Sequence, residues 1–376
     1  MKKVSLSTMI YSGENALDHL KSYEKMRIFI VTDPFMIESR MIEEIEGRLV
    51  RGQNEWEIFS DIVPDPPIEN VVAGVKEIEA FKPNLIIAVG GGSAIDAAKA
   101  MKDFAMKIYH FEALPLTAIP TTSGTGSEVT SFSIITDTSK GIKYPLVADN
   151  LIPEEAILDT DLVKTVPKAI TADTGMDALT HAIEAYVAEN ANDFSDAMAE
   201  KAIRLIFQYL KDAYVDGENI TARGKMHHAS TMAGIAFNIA GLGINHSIAH
   251  AGGAKFHIPH GRLNAILLPN VIAYNAGVQG YSNANLQPAA DKYAALARLL
   301  GLPATNSASG TRSLIKEIEK LRSALDMPAD FKQYDIEYTD HVKEQIAEAA
   351  LEDSCTDTNP LKPAKEDIIA ILKELK

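Results

Sequence analysis

The chain has 376 residues, 46% of them hydrophobic, and this length exceeds what one hydrophobic core usually supports, so we expect two domains. Its 36 basic and 51 acidic residues give a net charge of -15, which argues against nucleic acid or an anionic membrane surface as a partner. The single cysteine, Cys355, excludes an internal disulfide, a thiolate-built zinc site and an iron–sulfur cluster. Because no apolar leader opens the sequence, we expect a cytoplasmic protein.

The first part of the chain has the pattern of an α/β domain. Short apolar runs alternate with amphipathic segments up to about Asp161, as in successive βα units. The pattern predicts strands at 27–33, 84–89 and 116–119 and helices at 67–81 and 94–106. Such alternation favours a parallel sheet with helices on both faces, which we place at residues 1–166.

The rest of the chain, residues 167–376, is predicted to be all-helical. Long segments with a 3.6-residue period occupy 173–189, 196–214, 221–240, 291–300 and 314–325. The stretch from Ser230 to Ala254 has no charged residue and is long enough to cross a bilayer, but it contains two histidines, two asparagines and five glycines. We interpret it as buried helix beside a polar site, because a lipid-facing span would leave those side chains unpaired.

Glycines follow the second predicted strand directly. In the run from Gly90 to Ser93, three glycines allow close approach of the backbone to a phosphate, and the helix that follows offers free N–H groups. The run is neither a GxGxxG fingerprint nor a Walker A loop. A tight strand-to-helix turn is the alternative, but a turn needs only one glycine.

A hydroxyl-rich loop follows the third predicted strand. Positions 121–128 contain five hydroxyl side chains and two glycines, which suits a ribose, a diphosphate or an amide ring at the carboxyl end of a parallel strand. Helix capping explains Ser123 or Ser127 individually. Asp33 ends the first strand, where a carboxylate binds ribose hydroxyls and repels a 2′-phosphate, so NAD is favoured over NADP. An Asp before Pro34 is also a common turn former.

Carboxylate and imidazole side chains are concentrated in the second part of the chain. Asp177 and His181 have the four-residue spacing that places two ligands on one helical face. Four of the ten histidines, His246, His250, His257 and His260, then fall within fifteen positions. A metal bound by Asp177, His181 and two or three of these histidines is our interpretation. Spacing alone leaves open which ones, and whether the ion is Fe(II), Zn(II), Ni(II) or Mn(II).

Five motifs together resemble those of the iron-containing, group III alcohol dehydrogenases. They cover essentially the whole chain and stand at 90–99, 120–128, 174–184, 243–250 and 259–261. Within that family the chain is most similar to the 1-propanol dehydrogenases of propanediol utilisation, through motifs at 141–146, 207–210 and 223–227. The resemblance implies an α/β NAD-binding domain followed by an all-α metal-binding domain, with the metal between them.

The resemblance also implies roles for individual residues. The metal ligands fall on Asp177, His181, His246 and His260, whereas His250 matches the histidine near the nicotinamide and substrate that relays a proton. The cofactor contacts fall on Asp33, Asp65, Gly91, Gly92, Ser93, Thr121, Thr122, Thr125, Thr130 and Lys143. The chain departs from the family pattern at Pro34-Phe35, at Ala251-Gly252 and at Leu361.

The expected activity is interconversion of short-chain primary alcohols and aldehydes, propanal and 1-propanol foremost, with NAD(H) and Fe(II), Zn(II) being the alternative metal. A small neutral substrate and a homodimer or larger homo-oligomer are the expected partners, and enclosure in a bacterial microcompartment is left open. The rival readings are a lactaldehyde, 1,3-propanediol or glycerol dehydrogenase, a non-catalytic metal- and nucleotide-binding protein, and a lyase of the dehydroquinate synthase type.

Overall fold

The computed structural model describes residues 4–138, 142–278 and 286–375. The chain forms two compact units, one from Met1–Val166 with Gly217–Gly234 and the other from Pro167–Asp216 with Ile235–Lys376. No helix in the described ranges is long and apolar enough to span a membrane.

The first unit contains a six-stranded parallel sheet. Its strands are β1 (Met9–Gly13), β2 (Arg27–Thr32), β3 (Glu55–Phe59), β4 (Leu85–Gly90), β5 (Leu116–Pro120) and, after a separate ribbon, β8 (Glu155–Asp159). The spatial order is β1-β8-β5-β4-β2-β3, and every neighbouring pair is parallel. The ribbon consists of antiparallel β6 (Phe132–Asp137) and β7 (Ile142–Val147).

Helices cover both faces of this sheet. They are α1 (Pro34–Glu38), α2 (Ile42–Leu49), α3 (Ile68–Phe81) and α4 (Gly92–Tyr109). Alternate side chains of β2 point to opposite faces of the sheet and pack against different helices. Ile28 and Ile30 pack with α1 and α2, whereas Phe29 and Val31 pack with α3 and α4. The helices after the neighbouring strands β2 and β4 therefore lie on opposite faces, which is the arrangement at which α/β sheets bind ligands.

Among its described residues, the second unit contains helices and no strand. Its helices are α5 (Lys168–Val187), α6 (Asp193–Val215), α8 (Ile244–Phe256), α9 (His260–Ala276), α10 (Ala289–Leu299), α11 (Ser307–Ala324), α12 (Asp340–Glu352) and α13 (Lys365–Lys373). Helix α7 (Ile220–Ala240) belongs to the first unit up to Gly234. The predicted fold class, a parallel α/β domain followed by an all-α domain, is confirmed.

Residues 217–234 lie after the predicted domain boundary at 166/167, but they group with the first unit. Their side of α7 packs on the hydroxyl-rich loop: Thr231 Oγ1 donates to the Glu128 carboxylate at 2.6 Å, and a Cβ on Gly234 would lie 2.9 Å from Gly126 Cα. The uncharged stretch 230–254 is divided between α7 and α8, and its Asn245 and His246 are buried.

Candidate metal and nucleotide sites

Helix α5 presents two carboxylates and an imidazole on one buried face. Asp177, His181 and Glu184 follow one another at i, i+4 and i+7, and each is at most 6% exposed. Most residues of α5 from Thr171 onward are buried, so polar groups on this helix need partners inside the protein.

Helix α8 brings His246 to this face, and its N-terminus is capped by remote side chains. Asn359 Oδ1 accepts from Ile244 N at 3.1 Å, and Glu184 Oε1 accepts from Asn245 N at 2.8 Å. Gly243 permits this approach, because a Cβ there would lie 2.6 Å from Asn359 Oδ1 and 2.8 Å from Glu184 Oε1. The N–H groups that begin α8 are thus satisfied by side chains from elsewhere in the unit.

Helix α9 begins at His260 and packs tightly on α5. A Cβ on Gly261 would lie 2.1 Å from the Asp173 carbonyl oxygen, so only glycine allows this contact. The next residue, Arg262, makes a two-point ion pair with the Asp173 carboxylate, with both N···O distances 2.9 Å. The start of α9, and with it His260, is therefore fixed against α5.

The donor atoms of three predicted ligands lie close together. Atoms from Asp177, His181 and His246 are all within 4.8 Å of one another, a grouping that could hold a metal ion. His260 lies beside them, with its Nε2 3.6 Å from Asp177 Oδ1. The other two candidate histidines differ: His250 lies beside Asp353 and Cys355, and His257 is an exposed residue at the end of α8.

Asn264, one turn after His260 on α9, contacts three of these groups. Its Nδ2 lies 2.6 Å from Asp177 Oδ1, 3.2 Å from His246 Nε2 and 3.1 Å from His260 Nε2. Asn245 Nδ2 donates to Asn264 Oδ1 at 2.9 Å and so orients the amide. Asn264 was not predicted, although its four-residue spacing from His260 is a signal present in the sequence.

Glu184 determines the tautomer of His246. The Glu184 Oε2 to His246 Nδ1 distance is 2.5 Å, and because an ionised carboxylate can only accept, Nδ1 carries the proton. This leaves Nε2, which lies 3.7 Å from Asp177 Oδ1, as the atom that faces the other donors. Glu184 was also missed, and its i+7 spacing from Asp177 could have found it.

The protonation states within the cluster follow from burial and neighbouring charges. Burial alone would raise the pKa of Asp177, but His181, His260 and His246 hold it well below its usual range. Burial lowers the pKa of His260 well below its ordinary value, although Asp177 opposes this. Burial also opposes protonation of His246, but Glu184 and Asp177 raise its pKa to about 9. An ionised Asp177 and a neutral His260 are the forms in which these groups bind metals, whereas His246 must release its Nε2 proton before that nitrogen can bind one.

His250 forms a separate pair with Asp353. Its Nδ1 lies 2.8 Å from Asp353 Oδ2, and the other carboxylate oxygen accepts from Cys355 N at 2.8 Å and Ser247 Oγ at 3.3 Å. Although burial opposes it, His250 holds the pKa of Asp353 well below its usual range. The side chain of His250 is 29% exposed. Asp353, a hundred residues away in sequence, was not predicted.

In the first unit, the two polar loops lie against each other. Gly90 ends β4 with a positive φ of 152°, and Gly91 is the N-cap of α4. Thr121 N donates to Gly90 O at 2.9 Å. A Cβ on Gly91 would lie 3.5 Å from Thr122 Oγ1, and one on Gly92 would lie 2.7 Å from Thr125 Cγ2. The structure therefore groups the predicted contacts Gly91, Gly92, Thr121, Thr122 and Thr125, and Ser93 follows in the first turn of α4.

Asp33 lies at the same end of the sheet. It caps α1 by accepting from Met36 N at 3.2 Å, and its Oδ2 would lie 3.0 Å from a Cβ on Gly90. Burial raises the pKa of Asp33. The capping role and the ribose role considered from the sequence are compatible, since only one carboxylate oxygen is used by the cap.

The other three predicted cofactor contacts are Thr130, Asp65 and Lys143. Thr130 is 1% exposed, and its hydroxyl lies 3.1 Å from the buried Lys99 Nζ. Asp65 is an exposed residue with φ 53. Lys143 pairs with Thr136 in the β6–β7 ribbon, and its side chain lies outside the described residues, as does Gly141 in the motif 141–146.

Comparison with known proteins agrees with this architecture. Residues 7–160 match the family model for iron-containing alcohol dehydrogenase, and residues 171–375 match the model for the C-terminal part of the Fe-containing alcohol dehydrogenase family. The 1-propanol dehydrogenase PduQ of Citrobacter freundii is 45% identical over 100% of both chains.

Solved structures of other proteins have a similar fold. A 1,3-propanediol oxidoreductase superposes with a TM-score of 0.90 at 32% identity over 100% of both chains. A sulfoacetaldehyde reductase from Bifidobacterium kashiwanohense in complex with NAD+ has a TM-score of 0.86 at 26% identity, covering 100% of this chain and 98% of that one. The chain belongs to the iron-containing alcohol dehydrogenase family.

Proposed function

We propose that this alcohol dehydrogenase interconverts propanal and 1-propanol with NAD(H) and a divalent metal ion. The observation that carries the proposal is the buried donor cluster of Asp177, His181 and His246 in the second unit. The full-length similarity to a 1-propanol dehydrogenase supports the short-chain substrate. Family membership favours this reading over a lyase or a non-catalytic binding protein.

The donor set fits a metal of the first transition series. One carboxylate and imidazole nitrogens without a thiolate suit Fe(II), with Zn(II) as the alternative. The Glu184–His246 contact supports the fit, because it leaves Nε2 of His246 for the cluster. We assign the ligands as Asp177, His181, His246 and His260. The family model supports iron.

The metal ion and NAD(H) supply different parts of the chemistry. A metal ion held by these ligands supplies Lewis-acid polarisation of the substrate oxygen. NAD(H) supplies or accepts the hydride. The chain itself orients the ligands through Glu184 and Asn264 and moves the proton through His250, whose Nε2 is the exchangeable site because Nδ1 is engaged by Asp353.

Nucleotide binding is assigned to the first unit. The proposed contacts around the strand ends are Asp33, Gly91, Gly92, Ser93, Thr121, Thr122 and Thr125, and Asp65, Thr130 and Lys143 are proposed as further contacts. NAD is preferred over NADP because the Asp33 carboxylate at the end of β2 repels a 2′-phosphate. A homo-oligomeric state and a cytoplasmic location stay predictions.

A substrate panel tests the proposal. The metal-loaded protein is assayed for NADH or NADPH oxidation with propanal, butanal and lactaldehyde, and for NAD reduction with 1-propanol, 1,3-propanediol and glycerol. The expected result is the highest kcat/KM with propanal and NADH, and no turnover in the matched control Asp177→Asn, which keeps the shape of the side chain but removes its charge. Propanal turnover that Asp177→Asn retains in full would contradict the proposed site.

A diol or lactaldehyde dehydrogenase is the second candidate. The similarity in fold to a 1,3-propanediol oxidoreductase over the whole chain favours it. In the same panel this candidate predicts a kcat/KM for lactaldehyde or 1,3-propanediol that exceeds the values for propanal and 1-propanol.

A further inference from the structure

Three residues on one face of α7 contact the hydroxyl-rich loop of the first unit. His227, Thr231 and Gly234 stand at i, i+4 and i+7, and they lie against Ser123, Glu128 and Gly126 respectively. The Gly234 contact is between backbones, since a Cβ there would lie 2.8 Å from Gly126 O. This face of α7 therefore holds the loop that follows β5 at three points.

The contact between His227 and Ser123 lies directly after the residues that meet the glycine turn. His227 is 1% exposed, and its Nδ1 lies 2.9 Å from Ser123 Oγ. Ser123 follows Thr121 and Thr122 directly, the residues that meet Gly90 and Gly91. The orientation of this part of the loop thus depends on a side chain of α7.

Stability alone does not explain why a histidine is buried at position 227. Its Nε2 is buried and has no hydrogen-bond partner among the described residues. Burial, with a smaller contribution from His228, lowers the pKa of His227 to about 3, so the ring is neutral at physiological pH. A buried polar atom without a partner costs free energy, and natural proteins retain such atoms mainly where function requires them.

We propose that His227 is a positioning residue for NAD(H), which fixes the loop Thr121–Gly126 in its binding conformation through Ser123. This inference rests on the proposed function, in which that loop binds the nucleotide. Sequence reasoning missed His227, since paired histidines on a helix carry no signal without the loop opposite.

Substitution at both ends of the contact tests the inference. The dissociation constant of NADH is measured from its fluorescence enhancement, and thermal unfolding is followed on the same samples. His227→Phe keeps an aromatic ring but no nitrogen, and it is expected to weaken NADH binding by about tenfold without lowering Tm, since the unpartnered Nε2 is removed as well. Ser123→Ala is expected to weaken binding by a similar factor.

Three further variants separate positioning from packing. The double variant Ser123→Ala/His227→Phe should bind NADH no more weakly than either single variant, because both remove one contact. His227→Asn, whose amide lies near the position of Nδ1, should recover part of the affinity. His228→Phe, on the neighbouring half-buried position, is the matched control and should bind NADH as the unsubstituted protein does. The KM for NADH should rise with the dissociation constant, while kcat and the KM for the aldehyde change by less than about twofold.

Two results would overturn the inference. One is NADH binding by His227→Phe and Ser123→Ala at the unsubstituted affinity. The other is a fall in Tm for His227→Phe that accounts for its weaker binding while Ser123→Ala binds normally, which would make His227 a packing residue. Failure of the unsubstituted protein to bind NADH is a different outcome, because it would overturn the proposed function itself.

Discussion

Glu184 links the proposed metal ligands to the start of α8. Its carboxylate accepts from both His246 Nδ1 and Asn245 N, so it holds the proton of His246 on Nδ1 and also caps α8. An amide in its place has one accepting oxygen and cannot satisfy both donors. The role of Glu184 is therefore sensitive even to an isosteric change.

We predict that Glu184→Gln lowers the affinity for Fe(II) or Zn(II) by roughly 10- to 100-fold, as loss of an outer hydrogen bond to a metal-binding histidine does. Competition with a fluorescent chelator measures the affinity. Glu189→Gln, at an exposed position just after the end of the same helix, is the control and should leave the affinity unchanged. Equal metal affinities in the two variants would contradict a role for Glu184 in metal binding.

His250 and His260 should respond differently to truncation. His260→Ala is expected to lose the metal on gel filtration, whereas His250→Ala should retain it and slow turnover by about 100-fold, the scale of a lost proton-transfer group. Metal content by mass spectrometry and steady-state rates measure the two effects. Metal loss in His250→Ala together with retention in His260→Ala would reverse the assignment.

At the scale of the element, α8 depends on a glycine just before its first turn. Gly243 lets Glu184 and Asn359 reach the N–H groups of Ile244 and Asn245. We predict that Gly243→Ala destabilises the protein by about 1–3 kcal/mol, because overpacking shifts both caps. Urea unfolding gives the free energy, and chelator competition is expected to show weaker metal binding.

Gly47 offers a matched control in α2. A Cβ there would meet nothing within 4 Å, so Gly47→Ala is expected to stabilise the protein by roughly 0.5–1 kcal/mol through helix propensity. If Gly243→Ala, like Gly47→Ala, did not lower the free energy of unfolding, the capping of α8 by Glu184 and Asn359 would not contribute to stability.

The sequence predicted some elements far better than others. Strands β2, β4 and β5 were predicted because their continuous apolar runs are fully covered on both sides. Strands β1 and β3 lie at the edges of the sheet, and their half-exposed sequences, Met-Ile-Tyr-Ser-Gly and Glu-Trp-Glu-Ile-Phe, lack such runs. The division of α7 between two units also carries no local signal, because it depends on contacts with the loop at 123–128.

At the scale of the whole molecule, the sequence predicted the candidate ligands and not the groups that orient them. Asp177, His181 and His246 are recognised by spacing and by family motif. The i+7 spacing places Glu184 on the same face of α5 as Asp177, but its partner His246 is 62 residues away, and Asp353 reaches His250 over 103 residues of chain. Such long-range partners follow from packing, which periodicity does not encode.

The two units should bind their ligands separately. The donor cluster lies wholly in the second unit and the glycine and hydroxyl loops in the first. We predict that NADH and metal each raise Tm, since a ligand at about 100 times its dissociation constant adds about 2.7 kcal/mol. In His181→Ala the shift with metal should vanish while the shift with NADH persists, as differential scanning fluorimetry would show. Loss of both shifts in His181→Ala would contradict separate sites.

The most direct test is anaerobic NADH consumption with propanal, using protein stripped by a chelator, before and after addition of Fe(II), with Zn(II) in a parallel cuvette. We predict no NADH consumption by the stripped protein and recovery of consumption with Fe(II). Absence of activity with either metal, in protein that still binds NADH, would contradict the propanal assignment.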